Sequence, residues 1–265
     1  MENTNWLKQT PDKPLFPDLL WSRPENKRQA GKLLIVGGSS HGFATPATAF
    51  VAAAKAGIGT ARVLLPDSTR KILGTSFAEA IFAPSTPSGS FSRQASAELL
   101  ENAEWAEGVL LAGDFGRNSE TAILLDSFLD KYSGQVTVAQ DGLDYFLGPS
   151  SKLVNRPNTV LVINLGKLQK LAKNNRPSTP VLHSMNLYEL VTVLADWTNS
   201  CPATFITKHA DNLVVASGGK VSTTPERAES NWQTVLAAYA SVWLLQQPQK
   251  PFETLSTATC AYAMK

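Results

Sequence analysis

The feature that most constrains this chain is a series of short apolar runs, each closing on glycine or a small polar residue. The first, KLLIVGG from Lys32 to Gly38, has no polar alternation. A strand apolar on both faces must be covered on both faces, the condition of a parallel sheet between helices. TARVLLP, GVLLAGD, QVTVAQD and NTVLVINLG repeat the pattern. Helical patterns separate them: ATPATAFVAAAKAG closing on Gly57, SETAILLDSFLDKY, a segment from Lys167 to Lys173, and HSMNLYELVTVLADW. ATFITKH and NLVVASGGKVSTT then predict strands, the second folding as a hairpin around Ser217-Gly218-Gly219. SNWQTVLAAYASVWLLQQ and FETLSTATCAYAM end the chain as helices.

This alternation predicts right-handed βαβ units and an α/β fold of three layers, a mainly parallel central sheet with a C-terminal β-hairpin and helices. Residues 1–30 are polar and proline-spotted and predict an N-terminal arm, with Trp6, Phe16, Leu19, Leu20 and Trp21 as anchors onto a single domain over residues 31–265.

Composition removes several function classes. The 43% apolar and 17% charged residues favour a packed core over disorder. The 24 basic and 22 acidic side chains form no run of like charge, so nucleic acid is not an expected partner. Cys201 and Cys260 lie outside any CxxC pair and the three histidines form no ligand cluster, which argues against a structural zinc and suits a reducing compartment. No stretch reaches the length needed to span a bilayer and the start lacks a leader pattern, so no membrane partner and a cytoplasmic location are expected.

The residues that could carry chemistry fall at strand ends, where open parallel sheets place ligands. They are Gly37-Gly38-Ser39-Ser40-His41-Gly42, then Gly113, Asp114 and Gly116 in AGDFGR, Asp141 in AQDGL, Asn164 to Lys167 in NLGK, and Lys208-His209. Glycines there let backbone N–H groups approach an anion at a helix N-terminus. Neither GxxxxGK[ST] nor GxGxxG is present. Each residue taken singly has a structural reading: a tight turn for the glycines, a helix cap for Asp114 and Asn164, a surface group for Lys208.

In series, these landmarks resemble the ADP- or ATP-dependent NAD(P)H-hydrate dehydratases, a branch of the ribokinase-like superfamily. GKLLIVGGSSHGFATPATAFVAAAKAGIGTARVLLP is similar to the opening glycine-rich run of that family, with Pro46, Lys55, Ala56, Gly57 and Gly59 in step. AGDFGR stands where the family has GPGLGR, AQDGL where it has DADAL, INLGK where it has TPHPGE, and TKHADN where it has KGxxT. The resemblance implies a ribokinase-like fold, ADP or ATP as co-substrate with Mg2+ as an accompanying ion, and hydrated NADH or NADPH as substrate. It also implies assembly into a homo-oligomer, for which Trp243 or Phe252 could supply a contact. The implied substrate-binding residues are Thr45, Gly113, Asp114, Gly116, Asp141 and Asn164. The implied nucleotide-binding residues are Lys208, His209, Ala210, Asp211, Asn212 and Gln233.

One departure stands at the centre of the implied chemistry. Where the family's NPGMATGGTGDVLxG supplies glycine amides and an aspartate base, this chain reads from Thr224 to Leu236 with Gln233 for the glycine and Thr234 for the aspartate. A threonine hydroxyl carries no accessible negative charge at neutral pH. Ser230 and Gln233 have the S-x-x-Q spacing of a capping box that would satisfy the helix's own N–H groups, and Trp232 adds bulk. Thr45, Asn164, Lys167 and His209 also replace family residues, and rescue by Glu229 or Asp114 would need a rearranged active site. The expectation is an inherited fold with weak or absent dehydratase activity. The alternatives are a nucleotide-binding or assembly protein without turnover, and a small-molecule kinase of the same superfamily.

Overall fold

A computed structural model of the chain describes residues 5–74, 77–148, 152–226 and 230–265. Its strands are β1 (Trp6–Lys8), β2 (Lys32–Gly37), β3 (Thr60–Pro66), β4 (Ala80–Ala83), β5 (Gly108–Gly113), β6 (Gln135–Ala139), β7 (Thr159–Val162), β8 (Thr204–His209), β9 (Asn212–Ser217) and β10 (Lys220–Pro225). Its α-helices are α1 (Pro17–Trp21), α2 (Ala44–Lys55), α3 (Arg70–Leu73), α4 (Ser96–Trp105), α5 (Ser119–Lys131), α6 (Leu165–Asn175), α7 (Leu187–Ser200), α8 (Trp232–Gln246) and α9 (Pro251–Ala263). The described strands form one sheet in the order β1-β10-β9-β8-β7-β6-β5-β2-β3-β4. Only β8–β9 and β9–β10 pair antiparallel.

The two-residue period of each strand builds two cores. Leu33, Ile35, Leu110 and Ala112 face α2, α8 and α9, while Leu34, Val36, Val109 and Leu111 face α4, α5, α6 and α7. α8 is buried along nearly its whole circumference from Gln233 to Leu244, the state expected of a helix without a polar face. It lies against α2 and α9 and across β5 and β6, so its first turn is held at the carboxyl ends of the strands.

Local sequence accounts for the chain reversals. Gly57 at φ 85° ends α2 as expected, with its N–H on Ala54 O at 3.0 Å and the Ile58 N–H on Ala53 O at 3.1 Å. The hairpin at Gly218-Gly219 forms, both residues at positive φ. A second hairpin joins β8 to β9 through Ala210 and Asp211, also both at positive φ. Ala210 is a poor residue for that conformation, which is why the sequence reads there as two separate strands.

The N-terminal arm adds a strand. β1 pairs parallel with β10, Trp6 opposite Val221, and buried Gln9 donates to Thr224 Oγ1 and Ser256 O, each at 2.7 Å. Phe16 meets Phe252 edge to face at 6.2 Å and Leu19 is buried, whereas Trp21 is 87% exposed and anchors nothing. Trp243 and Phe252, read above as contact residues for an assembly, are instead buried within the protomer. β4 and α4 have no counterpart in the sequence reading.

Candidate functional site

Gly113 is the centre on which the strand-end turns converge. It sits at φ 134°, and a side chain there would meet Gln140 Cβ at 2.8 Å, Asp141 Oδ1 at 3.0 Å and Thr45 Cγ2 at 3.1 Å. A side chain at Gly37 would strike the Gly113 carbonyl, which instead accepts the Gly38 N–H at 2.9 Å. The glycines thus allow the β2 and β5 turns to touch and bring in the start of the segment after β6. The hydrogen bonds exchanged by Ser39 and Gly42, at 2.8 and 3.1 Å, close the β2–α2 loop.

Asp114, at φ 62°, accepts the Thr45 N–H on Oδ2 at 2.7 Å. It caps α2 from across the sheet and not α5, the next helix in sequence. α5 is capped by Asn118, which accepts from Glu120 and Thr121. The start of α2 has no local side-chain cap, so the Asp114 carboxylate meets both its open N–H group and its positive dipole end. Asn164 is likewise a cap, accepting the Lys167 N–H at 2.9 Å. The Lys167 ammonium donates to the Gln140 carbonyl at 2.7 Å and pairs with Asp144 at 2.8 Å.

Asp141 is the carboxylate with the most unusual setting. Its Oδ2 accepts the Gly116 N–H at 3.3 Å, while its buried Oδ1 has no hydrogen-bond partner among the described residues. Burial foremost, with the Asp114 charge adding to it, pushes its carboxyl above the ordinary range against the smaller opposing pull of Gly116, the Asp114 backbone and Lys167. With Gly116, Asn118, Asp144 and Tyr145 it lines a cavity of about 620 Å³. The Tyr145 hydroxyl closes one wall by donating to the Gly116 carbonyl.

At the start of α8 the expected capping box does not form. Asn231 is the cap residue and makes no side-chain cap bond, and Ser230 is exposed. Buried Gln233 turns into the sheet and donates to the Val162 carbonyl at 3.1 Å. Thr234, 3% exposed, accepts the Gln140 Nε2–H at 3.0 Å. Trp232 packs partly buried against the core on that face. Glu229 lies outside the described residues.

The other residues expected to hold nucleotide are at the far end of the β8–β9 hairpin. Lys208 pairs with Glu226, which also accepts from the Tyr262 hydroxyl at 3.3 Å. Ala210 and Asp211 form the hairpin turn, and Asn212 donates to the Ala210 carbonyl at 2.7 Å, opposite His209 in the ladder. The structure therefore brings Thr45, Gly113, Asp114, Gly116 and Asp141 together around Gly113, with Thr234 reached through Gln140. Asn164 stands as a cap beside them and Lys208 to Asn212 as a separate turn. Gln140 lies within AQDGL but a neutral amide beside Asp141 carries no signal of its own, and Tyr145 lies outside the motif; Gln140 stands out by its left-handed backbone, φ 51°. Among the described residues no cluster of His, Cys, Asp or Glu could hold a metal ion, and no helix is long and apolar enough to cross a membrane.

No family model and no curated protein matches the sequence. Solved structures do. A ribokinase-like superfamily protein from Enterococcus faecalis is 15% identical over 100% of this chain and 88% of its own, with a TM-score of 0.75. The ADP/ATP-dependent NAD(P)H-hydrate dehydratase from Bacillus subtilis, co-crystallised with ATP/Mg2+ and soaked with CoA, is 14% identical over 94% of this chain and 87% of its own, TM-score 0.62. A phosphomethylpyrimidine kinase from Clostridium difficile is 10% identical over 88% of this chain and 100% of its own, TM-score 0.53. The chain has the ribokinase-like fold. Within that fold its neighbours include both the hydrate dehydratase and kinases.

Proposed function

We propose that this chain is a nucleotide-binding protein built on the hydrate-dehydratase frame in which neither dehydration nor phosphoryl transfer takes place. The observation that carries the reading is the Thr234–Gln140 hydrogen bond in the buried first turn of α8. A neutral hydroxyl committed to a neutral amide offers no base at the position where the resembling family has aspartate. Gln233 supports it, because its side chain fills space that a glycine would leave open and ties the helix start to β7. Thr234 thereby removes what proton transfer in such a reaction needs, a charged acceptor for the hydroxyl proton, and Gln233 adds bulk beside it. Incubation of hydrated NADH with the protein and ADP or ATP is expected to give no recovery of nicotinamide absorbance, while calorimetry with the same nucleotides gives binding heat. Turnover would overturn the silent-enzyme reading, and absence of heat with ADP, ATP and NADPH would overturn the binding one.

A second reading rests on Asp141. A half-buried carboxyl with raised proton affinity and an unpartnered oxygen, lining a cavity, is a fitting proton acceptor. Under that reading Asp141 replaces the missing base in a changed reaction. Any turnover found would then vanish in Asp141→Asn and survive in Thr234→Val.

A further inference from the structure

The longest stretch of one-signed charge in the chain is spread too thinly to read as a run, and the fold concentrates it. Between Tyr145 and Tyr188 there are lysines at 152, 167, 170 and 173 and arginines at 156 and 176, with no aspartate or glutamate. Lys152 is spent on Asp126 and Asp130, and Arg156 on the carbonyls of Tyr132, Gly134 and Pro157. The remainder fall on α6 and its end at three-residue spacing, so that each is the surface neighbour of the next. All four line a cavity of about 830 Å³, together with Pro177, Pro180, Val181, Leu182 and His183. Among the described residues no acidic side chain lines it. Lys167, at its upper end, is paired with Asp144; Lys170, Lys173 and Arg176 take part in none of the salt bridges formed among the described residues.

Cations three residues apart on one helix repel each other, and Lys167 in the first turn also faces the positive end of the helix dipole. An anion between them removes the repulsion. The opposite wall is apolar, with Val181 buried and Leu182 44% exposed at the surface of the groove. The volume falls within the range of about 300–1,000 Å³ usual for small-molecule sites. We infer that the groove between α6 and the 177–183 loop is a binding site for an organic phosphate of nucleotide size, its phosphates on Lys170, Lys173 and Arg176 and its apolar part against Val181 and Leu182. This site lies on the outer side of α6 and goes beyond the function proposed above, which concerns the start of α8.

The test uses ADP as probe, with inorganic pyrophosphate as its charge-only half, in calorimetry and in backbone hydrogen exchange. Expected are ADP-dependent protection of residues 165–183, weaker binding of pyrophosphate than of ADP, and at least a tenfold loss of ADP affinity in Lys170→Gln/Lys173→Gln with an unchanged melting temperature. Arg176→Asn, which suits the left-handed backbone at that position, gives an independent second variant should the first melt early. Protection confined to the start of α8 or to the β8–β9 turn would overturn the inference and leave the proposed function standing. So would pyrophosphate binding as tightly as ADP, affinity within twofold of the parent in both variants, or no binding at millimolar ADP.

Discussion

The Asp141 carboxyl carries a pH signature of its own. Its proton affinity is raised by burial, so across the window from the ordinary 3.8 up to the folded pKa the native chain binds more protons than the unfolded one. Native stability is therefore diminished as pH rises through that window, and the penalty persists at neutral pH. Asp141→Asn removes it: urea midpoints are expected to show the variant gaining on the parent between pH 4 and pH 7, and parallel curves would contradict this. The thiol of Cys201 is pushed up to about 11 by burial. It should resist iodoacetamide at pH 8 in the native protein and react readily in urea, as mass spectrometry would show; rapid native labelling would refute the burial argument. Among the site residues, those with strong local signals were legible in the sequence. Gly113 and Asp114 announced themselves as a turn at a strand end, but the capping partner of Asp114, Thr45, lies on a helix far away in sequence, and local spacing contains nothing about it.

At the scale of elements, the proposed loss of catalysis rests on the first turn of α8. Thr234→Asp places a carboxylate at the expected position, yet Gln233 still turns its amide into the sheet beside it. The single variant is expected to show no strong dehydratase activity in the hydrated-NADH assay; a large gain would show that Gln233 does not obstruct. The strands and long helices were legible because apolar runs and their periodicity are local properties. The capping box at Ser230 was misread for a related reason. Its spacing is right, but a sheet carbonyl at Val162, absent from any local window, competes for the Gln233 amide and wins. β1, three residues long, carries too little pattern to be seen without the edge it completes.

For the whole molecule, the arm covers the outer edge of β10, which without it would present unpaired backbone groups. Gln9→Ala removes a buried donor shared by Thr224 Oγ1 and Ser256 O, both of which keep the Thr259 hydroxyl as a partner, and is expected to cost about 0.5–1.5 kcal/mol in denaturant unfolding. Removal of residues 1–16 should lower the melting temperature and promote aggregation, measured by light scattering; an unchanged melt would mean that the sheet ends at β10. The pairing of Trp6 with Val221 spans nearly the whole sequence. During translation Trp6 therefore has no strand to pair with until the ribosome has delivered β10. The segment that carries β1 closes as a latch on an edge that is synthesised long after it.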